Sequence, residues 1–481
     1  MSTSHRFTKI LATLGPASGE VETIRGMLEA GLDGARLNMS HGSADEHRAR
    51  MRVLRREARR MGRPIAVVLD LQGPKLRTAG SAPEEGVELL SGGRVVLVGR
   101  AVPATPRRLG ISLPRLARHL RPKERVLIDD GKLRLRVHRV RGDEVHCVVE
   151  VGGRVGTRRG VNLPDTKLSL PSLTRKDQRD LELGIKLGAD YVALSFVSSA
   201  DDVRALRRRL ERAGSDLRII AKLERPRALD NLDAILECAD GVMVARGDLG
   251  VEIPVEQVPA AQKLIISRAG ERGRLCVTAT QMLETMIEKP VPTRAEVSDV
   301  ANAVFDGSDV VMLSGETAVG HNPVLVVETM ARIVRGAESR EYARSWRVRP
   351  SPDDPVRAVI AEAASNAARA LKARALVVLT MSGSTALRVS KHHLRLPIYA
   401  ITYRDATLRR AALFRGVVPL PHRFLANSDR LLAEIERDLV RSERLHRGDR
   451  VAYLGGANPG GVATDFLQLR RVGSRRRGSS A

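Results

Sequence analysis

The chain alternates apolar β-type segments with amphipathic helical patterns, and this alternation limits its fold more than any other feature. Eight apolar segments occur, and all but the third are followed closely by a helical pattern: TKILATLG, GARLNMS, IAVVLDL, YVALSFV, RIIAKLE, GVMVARG, LCVTATQ and DVVMLSG. Such alternation is typical of parallel strands joined by helices. Eight units in about 250 residues, once one insertion is set aside, predict a (β/α)8 TIM barrel of the α/β class.

An insertion separates the third apolar segment from its helix, between about residues 72 and 165. It contains the stretches GRVVLVGRAV, RVLIDDGKLRLRVHRV and DEVHCVVEVGGRV, which are rich in β-branched residues and punctuated by Gly and Asp. This pattern favours short strands joined by tight turns. We therefore predict a small inserted β-barrel domain that acts as a lid at the rim of the larger barrel.

The C-terminal part is predicted to form a separate unit. A proline-rich, charged segment, RVRPSPDDPVR, reads as a linker, and AVIAEAASNAARALKA followed by ALVVLT begins a further αβ alternation. We expect a three-layer α/β domain for regulation or assembly. The predicted limits are 1–71 and 166–345 for the catalytic barrel, 72–165 for the lid, 346–473 for the C-terminal domain and 474–481 for a disordered basic tail.

The net charge of +25 raises the question of nucleic acid. However, the arginines are spread over predicted helix surfaces among acidic residues, and only 2% of residues are aromatic, which leaves little for base stacking. We expect no nucleic-acid partner and a surface that favours anionic metabolites. No apolar run long enough for a membrane span or signal peptide is present, so a cytoplasmic location is expected. The three cysteines are far apart and predict reduced thiols.

Polar residues follow the apolar part of six predicted barrel strands. In a (β/α)8 barrel, the carboxyl ends of the strands carry the chemistry. Structural ion pairs at the rim would explain one or two such residues, but burying many charges without a ligand is costly. We therefore predict one site at this end of the barrel, from these residues: Arg36, Asn38, Ser40, Asp70, Lys222, Glu224, Arg246, Asp248, Thr278, Thr280, Ser314 and Glu316.

Two carboxylates of this group lie on adjacent predicted strands. Glu224 and Asp248 are expected to share a divalent cation, and Mg²⁺ fits because it takes one or two carboxylates and fills its other positions with water or substrate oxygens. Lys222 points to the same face as Glu224, two residues on. A lysine and a metal facing one space suit an anion, although a structural Lys–Glu bridge is the alternative. With the forked cation of Arg36, the pattern indicates a small phosphorylated carboxylic acid.

Several long motifs, in order, resemble the signatures of pyruvate kinases. They are TKILATLGPAS (8–18), GARLNMSHG (34–42), AKLERPRALDN (221–231), VARGDLGVEIP (244–254), TATQMLETM (278–286) and VMLSGETAVG (311–320), and the similarity also covers DDGKL and GVNLP of the insertion. The resemblance implies transfer of a phosphoryl group from phosphoenolpyruvate to ADP, which gives pyruvate and ATP. It also implies a homotetramer as the usual state of assembly.

The resemblance assigns roles to residues matching the motifs. It implies that Lys222 stabilises the migrating phosphoryl group, Arg36 holds the substrate phosphate and Thr280 lies near the face where the enolate is protonated, with the proton donor left open. The substrate carboxylate is expected at the backbone of Ala245, Arg246, Gly247 and Asp248, and Mg²⁺, or Mn²⁺ in its place, on Glu224 and Asp248. The positions expected around the nucleotide are Pro16, Asn38, His41, Arg77 and Arg159.

The segment LDLQGPKLRT departs from the commoner pattern of the family. Many members have Thr-Lys-Gly-Pro-Glu here, and they hold K⁺ at positions matching Asn38, Ser40, Asp70 and the carbonyl of Leu71. Lys75 stands where those members have the glutamate, and its ammonium is a compact cation on a flexible stem. We predict that Lys75 supplies the monovalent charge, so that K⁺ is not required. A solvated loop lysine is the alternative.

A Ser/Gly loop in the C-terminal part, within VVLTMSGSTALRVS, follows a strand and precedes a helix. Its members are Thr380, Ser382, Gly383, Ser384 and Thr385. Such a loop offers N–H groups and hydroxyls to a phosphate, and family members bind a sugar-phosphate effector there. A plain strand–helix turn in an assembly domain is an equally weighted interpretation.

Two other functions compete with a pyruvate kinase. A metal-dependent aldolase, or another barrel enzyme that uses phosphoenolpyruvate, would share the Mg²⁺ and an arginine but would not need the lid or the motifs NMSHG and GPKLRT. An RNA-associated basic protein would instead show salt-sensitive RNA binding that needs neither Lys222 nor Mg²⁺. Dependence of activity on ADP separates the first rival from the kinase.

Overall fold

All eight predicted apolar segments form strands of one closed parallel barrel. The computed structural model describes residues 6–166, 171–339, 355–425, 427–456 and 464–474. Strand 8 pairs with strand 1, with Lys9 opposite Val310, and this pairing closes the ring. The predicted (β/α)8 barrel is thereby confirmed. Barrel strands 1 to 8 are Lys9–Leu14, Gly34–Asn38, Ala66–Asp70, Tyr191–Leu194, Arg218–Leu223, Gly241–Ala245, Leu275–Ala279 and Val310–Leu313.

Helices cover the outside of the barrel, and several begin at a capping box. Ser43, Thr174 and Thr293 each precede a helix and accept a hydrogen bond from the backbone N–H three residues on, where a carboxylate bonds back. Within the described ranges, no helix has the length and apolar character to cross a membrane. The α-helices are Val21–Ala30, Ala44–Arg60, Arg175–Lys186, Ala200–Arg212, Pro226–Asp230, Leu232–Cys238, Arg246–Glu252, Val258–Glu271, Arg294–Phe305, Gly315–Ala318 and Pro323–Glu338, and the 3₁₀ turns are Pro16–Ser18, Val255–Gln257 and Glu284–Ile287.

The insertion folds into a second, smaller barrel with an apolar core of its own. Seven strands close this barrel: Leu76–Ala79, Arg94–Val98, Arg108–Ile111, Arg125–Ile128, Leu133–Arg141, Glu144–Val151 and Gly160–Asn162. The strands Val87–Leu89 and Gly153–Val155 form a separate two-stranded sheet, and Leu116–His119 is a short helix. The predicted small β-barrel is confirmed, and we call it the lid domain.

The chain enters the lid domain through a tight turn at Gly73. This glycine has a φ of +69°, which side chains other than hydrogen rarely tolerate. A Cβ atom there would lie 2.9 Å from the ring of Phe196. The Gly73 N–H donates to Oδ1 of Asp177 at 3.1 Å, and Asp177 is also the capping-box carboxylate of the helix that follows the lid. The entry to the lid is therefore fixed to the barrel by backbone geometry and one buried carboxylate.

The C-terminal domain is a five-stranded sheet with helices on both faces, so the predicted three-layer architecture is confirmed. Two separate apolar clusters, one on each face of the sheet, pack its helices. The fifth strand is antiparallel to its neighbour and lies at the edge. The strands are Ala375–Leu379, Ile398–Thr402, Val417–Pro421, Arg450–Gly455 and Phe466–Arg471, and the helices are Pro355–Ala370, Ser384–Ser390, Asp405–Ala411 and Ser428–Arg441.

The C-terminal domain closes the amino-terminal end of the large barrel. Leu413 belongs to the same apolar cluster as the inward-facing side chains of the barrel strands. A Cβ atom on Gly34 would come within 2.8 Å of Leu413, so the glycine makes room for this contact. Lys391 of this domain forms an ion pair with Asp309 in the turn before strand 8, and both residues are fully buried. The barrel interior and one face of the C-terminal sheet therefore form one continuous core.

Some predictions concern parts of the chain that the description leaves out. Most of the predicted linker, residues 347–354, and the predicted tail beyond residue 474 lie outside the described residues. The exact domain limits stay predictions.

Cys147 and Cys276 are buried free thiols, and Cys238 is half-buried and free. Burial raises the pKa of the Cys147 thiol to about 12, which makes this thiol unreactive.

The buried ion pair between the two domains generates a stability prediction. Replacing Lys391 with Met should destabilise the protein by about 3 kcal/mol, because the carboxylate of Asp309 would stay buried without its cation. Urea unfolding followed by circular dichroism measures the change. The matched control is Arg204→Met, which removes the exposed partner of Asp201 and should leave the unfolding midpoint unchanged. Equal midpoints for the two variants would contradict the prediction.

Candidate active site

The strand alternation brings one ring of polar side chains to the carboxyl end of the barrel. Successive side chains of a strand point to opposite faces, so positions two residues apart share a face. On strands 1 to 5, the side chains that point into the barrel form two layers. A layer of small or apolar residues is followed, toward the carboxyl end, by a layer of polar residues. The inner layer is Leu11, Gly34, Val68, Ala193 and Ile220. The polar layer is Thr13, Arg36, Asp70, Ser195 and Lys222.

Lys222 lies at the centre of this ring, with 11% of its side chain exposed. Its Nζ lies 2.8 Å from Glu224 Oε1 and 3.3 Å from Asp70 Oδ1, and it donates to Ser195 Oγ at 2.7 Å. Burial alone would lower the pKa of this amine, but the two carboxylates outweigh burial and raise the pKa of Lys222 above its usual value. The site therefore holds a fixed positive charge.

Asp70 connects Lys222 to Arg36. Arg36 Nε donates to Asp70 Oδ2 at 2.6 Å, and Arg36 Nη1 donates to Thr13 Oγ1 at 3.0 Å. Burial disfavours the charged carboxylate, but the nearby cations of Lys222 and Arg36 prevail and lower the pKa of Asp70. Asp70 is therefore an ionised counter-ion that orients two cations toward one cleft.

Glu224 has the surroundings of a metal ligand. Its Oε2 accepts from the Phe196 N–H at 2.7 Å, whereas Oε1 contacts Lys222 without the alignment of a hydrogen bond. Burial raises the pKa of Glu224, and the neighbouring carboxylate of Asp248 raises it further. The carboxylates of the buried Glu224 and the partly exposed Asp248 repel each other, and such a pair fits a shared cation.

The number of carboxylates also bears on which cation fits. In the described ranges, no group of three or more His, Cys, Asp or Glu side chains has the arrangement of a metal site. A cation on Glu224 and Asp248 would therefore need water or ligand oxygens to complete its shell. Mg²⁺ is commonly bound in this way. The residues present fit the predicted magnesium and do not indicate a closed structural metal site.

The ends of strands 6 and 7 are fixed against each other beside the two carboxylates. The helix Arg246–Glu252 begins directly after strand 6, and the Gly247 N–H donates to Thr280 Oγ1 at 2.8 Å. Thr280 has a φ of +66°, a strained conformation for a β-branched residue. The guanidinium of Arg246 is buried and pairs with Asp299 at 2.7 Å. The side chain of Arg246 is thus structural, which leaves its backbone for the cleft.

A cleft of about 480 Å³ opens between this edge of the barrel and the lid domain. Asp248, Gly247 and Thr280 line it, and so does Lys75 from the lid side. Lys75 Nζ lies 3.5 Å from Asp248 Oδ1. The ammonium is therefore placed beside the predicted metal ligand, a contact that sequence reasoning did not anticipate.

A second contact joins the lid domain to the barrel close by. Asn162 Nδ2, at the end of the last lid strand, donates to Glu252 Oε1 at 2.7 Å. Both residues are buried, and burial raises the pKa of the Glu252 carboxyl. The lid therefore rests on the helix Arg246–Glu252 through two polar contacts, one at each strand that connects it to the barrel.

The residues predicted around K⁺ are partly engaged with one another. Asn38 Oδ1 accepts from the Ser40 N–H at 3.1 Å, and the carbonyl of Leu71 accepts from Ser195 Oγ at 2.8 Å. Asp70 belongs to the same cluster through Arg36 and Lys222. Four of the five predicted positions thus surround the end of strands 2 and 3, and Lys75 lies apart from them beside Asp248.

The predicted nucleotide residues divide between the barrel and the lid. Pro16 begins the turn after strand 1, Asn38 ends strand 2 and His41 follows in the next turn. Arg77 and Arg159 belong to neighbouring lid segments, where the Thr78 N–H donates to the Arg159 carbonyl at 2.8 Å. Arg77 and Arg159 are therefore held together in the lid domain, whereas the other three residues belong to the barrel.

Sequence reasoning missed two members of the site and included one that points away from it. Ser195 and Thr13 hold Lys222 and Arg36, and counting two residues beyond the inner layer would have found them. Thr278 has the opposite alternation and bonds to Ser308 at 2.6 Å, away from the cleft. Glu316 lines the cleft, and its buried carboxylate also accepts from the backbone N–H groups of Leu283 and Ser314.

Comparison with known proteins identifies the family of this chain. The family model described as "Pyruvate kinase, barrel domain" matches residues 5–327, and the model "Pyruvate kinase, alpha/beta domain" matches residues 358–469. Together these ranges contain every residue of the cleft described above.

Full-length relatives and a solved structure agree with the family models. The chain is 41% identical to the pyruvate kinase of Mycobacterium tuberculosis over 97% of its length and 98% of the relative's, and 40% identical to that of Corynebacterium glutamicum over the same shares. A crystal structure of a pyruvate kinase from Cryptosporidium parvum superposes with a TM-score of 0.91 at 32% identity, covering 98% of this chain and 97% of the other. The chain therefore belongs to the pyruvate kinase family and is a phosphotransferase of that family.

Proposed function

We propose that this chain transfers the phosphoryl group of phosphoenolpyruvate to ADP in the cleft between barrel and lid. The observation that carries the proposal is the buried, charged Lys222, which Asp70 joins to Arg36 at the carboxyl end of the barrel. Phosphoryl transfer depends mainly on positioning and on neutralising the transferred oxygens. Lys222 is placed to stabilise the migrating phosphoryl group, and Arg36 to hold the phosphate of the substrate. The products are pyruvate and ATP.

The backbone at Gly247 and Asp248 is proposed to bind the substrate carboxylate. In the structure, the Gly247 N–H donates to the Thr280 hydroxyl, so a carboxylate would take over a donor that already points into the cleft. The Thr280 hydroxyl donates to the Ala279 carbonyl at 2.6 Å, and this bond holds it at the same place. Thr280 is therefore proposed to lie beside the face of the enolate that receives a proton, together with Ala245 and Arg246 as backbone neighbours.

A divalent cation is part of this proposal, with Glu224 and Asp248 as its protein ligands. Mg²⁺ fits their number and chemistry, and Mn²⁺ can substitute because it prefers the same oxygen ligands. When bound, the cation would neutralise oxygens of the substrate. Lys75 would then lose its contact with Asp248 and be available to another anion in the cleft.

The nucleotide is proposed to bind between the lid and the amino-terminal barrel strands. Arg77 and Arg159 of the lid supply guanidinium groups for phosphates, and Pro16, Asn38 and His41 form the opposite wall. Closing the lid over ADP would exclude water and so prevent loss of the phosphoryl group to hydrolysis. The fixed turn at Gly73 gives this movement a defined pivot.

We further propose that K⁺ is not required. Lys75 stands beside Asp248 at 3.5 Å, within the cleft, so its charge is already present where substrate and metal would meet. Lys75 does not touch Asn38 or Ser40 in this conformation, so the effect is one of local charge rather than of occupying the same coordination sphere. The alternative is that a K⁺ site persists, and it is supported by the presence of Asn38, Ser40 and Asp70 at the ends of strands 2 and 3. Measuring activity without K⁺ separates these two possibilities.

Regulation and assembly complete the proposal. The loop at Ser382 and Ser384 lines a cavity of the C-terminal domain with Arg423, which suits a sugar-phosphate effector. Thr380 holds the loop by accepting from the Gly383 N–H at 2.9 Å, and Thr385 bonds to Thr464 at 2.7 Å. For assembly we propose a homotetramer, the state that the family resemblance implies, and the exposed Val291 of the barrel domain is available to such an interface.

Lys222→Met should abolish ATP formation, with a loss of at least about 10³-fold in kcat, because the fixed charge for the migrating phosphoryl group disappears. A coupled assay with phosphoenolpyruvate, ADP and Mg²⁺ measures it. Ser195→Ala is the matched control, since it keeps the ammonium and removes only the hydrogen bonds that Ser195 Oγ makes with Lys222 and with the Leu71 carbonyl, and it should cost about tenfold. Circular dichroism verifies that both variants fold. Near-native turnover of a folded Lys222→Met protein would refute the assignment.

The wild-type enzyme should keep its full activity when K⁺ and Na⁺ are replaced by a tetraalkylammonium salt. Lys75→Met should then lose most of its activity without K⁺ and regain it on addition of KCl, because a free cation would replace the missing ammonium. Lys132→Met, which removes an exposed lysine elsewhere in the lid, should behave like the wild type. A wild-type enzyme that falls to a few per cent without K⁺ would overturn the proposal.

As the pH falls, Mn²⁺ binding should begin to weaken at a higher pH than it would if Glu224 had the pKa of an ordinary glutamate. The pKa of Glu224 is raised by burial and by Asp248, so protons compete with the metal already above the usual range, and affinity is lost as the pH falls through this raised pKa. Electron paramagnetic resonance titrations from about pH 8 to about pH 5 measure free Mn²⁺. Glu224→Gln should bind weakly throughout. Constant wild-type affinity over this range would contradict the prediction.

A further inference from the structure

Phe196 lies in the turn that follows strand 4, at the carboxyl end of the barrel, in a strained backbone conformation. Its φ is +56°, in the left-handed region that bulky side chains rarely adopt. Such strain persists only where surrounding contacts hold the residue in place, and it is concentrated at functional sites. The residue is 8% exposed, yet none of the four apolar clusters of the described residues contains it. The ring therefore does not serve to fill an apolar core.

The backbone of Phe196 orients the proposed metal ligand Glu224. The Phe196 N–H donates to Glu224 Oε2 at 2.7 Å, from a strand that pairs with the strand of Glu224. This bond occupies one carboxylate oxygen and leaves Oε1 beside Lys222 at 2.8 Å. Because φ sets how the N–H and the side chain of one residue are disposed to each other, the strained value links the ring of Phe196 to the orientation of the carboxylate.

The ring of Phe196 lies against the turn through which the chain enters the lid domain. A Cβ atom on Gly73 would come within 2.9 Å of this ring, so only the hydrogen of a glycine fits between ring and turn. The segment before Gly73 is bonded to the same end of strand 4. There the Leu71 N–H donates to the Ala193 carbonyl at 3.0 Å, and the Leu71 carbonyl accepts from Ser195 Oγ at 2.8 Å. A shift of the turn toward the barrel would therefore act directly on the ring of Phe196.

Arg225 holds the ring of Phe196 by a cation–π contact. Arg225 follows Glu224 directly in the chain, and its Cζ lies 5.0 Å from the centre of the ring. Phe196 also lines a cavity of about 510 Å³ beside the two connections of the lid. The ring is therefore held by a turn and a cation, and it has space into which it can shift.

We propose that Phe196 is a positioning residue that transmits the geometry of the lid turn at Gly73 to the carboxylate of Glu224. The ring that touches the turn and the N–H that orients the carboxylate belong to one residue, so a displacement of the first turns the second. The position of the lid would thereby change the affinity of the divalent cation. The inference rests on the proposed function, because it takes Glu224 as a ligand of that cation.

Binding of Mn²⁺ in the absence of substrates, measured by electron paramagnetic resonance of the free ion, tests the proposal. Phe196→Leu keeps the N–H and removes the aromatic ring, and it should raise the Kd for Mn²⁺ at least about tenfold, because Glu224 loses its fixed orientation. Phe196→Tyr keeps the ring and should stay within about twofold of the wild type. Phe7→Leu is the matched control. It removes the ring of another Phe–Arg pair, which lies before strand 1, and should leave the Kd unchanged.

A double-mutant cycle measures the coupling between the lid turn and the metal site. Gly73→Ala places a methyl group against the ring, and it should raise the Kd for Mn²⁺ when Phe196 is present. In the Phe196→Leu protein the same change should have an effect at least about threefold smaller, because the ring that transmits the displacement is absent. The strain from the positive φ of Gly73 is common to both proteins and cancels in the comparison.

Two results would overturn the proposal and leave the metal site intact. One is a folded Phe196→Leu protein whose Kd for Mn²⁺ equals that of the wild type, and the other is a cycle in which the two changes are additive. If Phe196→Leu fails to fold, as judged by circular dichroism, Arg225→Gln decides. It should raise the Kd about threefold by releasing the ring, although loss of a positive charge would by itself favour a cation, and an unchanged or lower Kd would contradict the proposal.

A failure of the proposed function would look different. A wild-type protein that does not bind Mn²⁺, or a Glu224→Gln protein that binds it as tightly as the wild type, would refute the metal site itself and the inference with it.

Discussion

The buried ammonium of Lys222 is the interaction on which the site depends. Glu224 holds it from the end of the same strand and Asp70 from strand 3, and Asp70 in turn fixes Arg36. In this series of alternating charges, each buried charge is stable only because its neighbour carries the opposite charge. An isolated ion at the same depth would become neutral or move to solvent. The arrangement leaves two oriented cations at the carboxyl end of the barrel, together with the Glu224 carboxylate, whose Oε1 accepts no hydrogen bond from the described residues. A phosphorylated acid together with a divalent metal supplies what is lacking.

The lid is tied to the same arrangement by its two connections. The first passes Gly73 and leads directly to Lys75, which contacts Asp248, and the second ends at Asn162, which contacts Glu252. Both contacts fall on the short helix that follows strand 6. Binding of a metal at Asp248 would compete with one of them. The position of the lid and the occupancy of the site are therefore physically linked, because one carboxylate serves both.

The sequence was sufficient for the fold because the strands are marked by strong alternation and by turn residues. All eight barrel strands lie within the predicted segments, and both added domains have the predicted architecture. The site was found through strand ends, but the direction of each side chain was not considered: Ser195 was therefore missed and Thr278 included. The contact between Lys75 and Asp248 spans 173 positions and leaves no local pattern.

The two added domains are attached to the barrel in different physical ways. The lid has its own apolar core and meets the barrel through a pair of neighbouring connections and a few polar contacts. The C-terminal domain shares a core with the barrel interior, where Leu413 fills the space beside Gly34. During evolution the lid could therefore be exchanged or lost like a long loop. The C-terminal domain could not be removed so simply, because the barrel would then expose the apolar floor that this domain now covers.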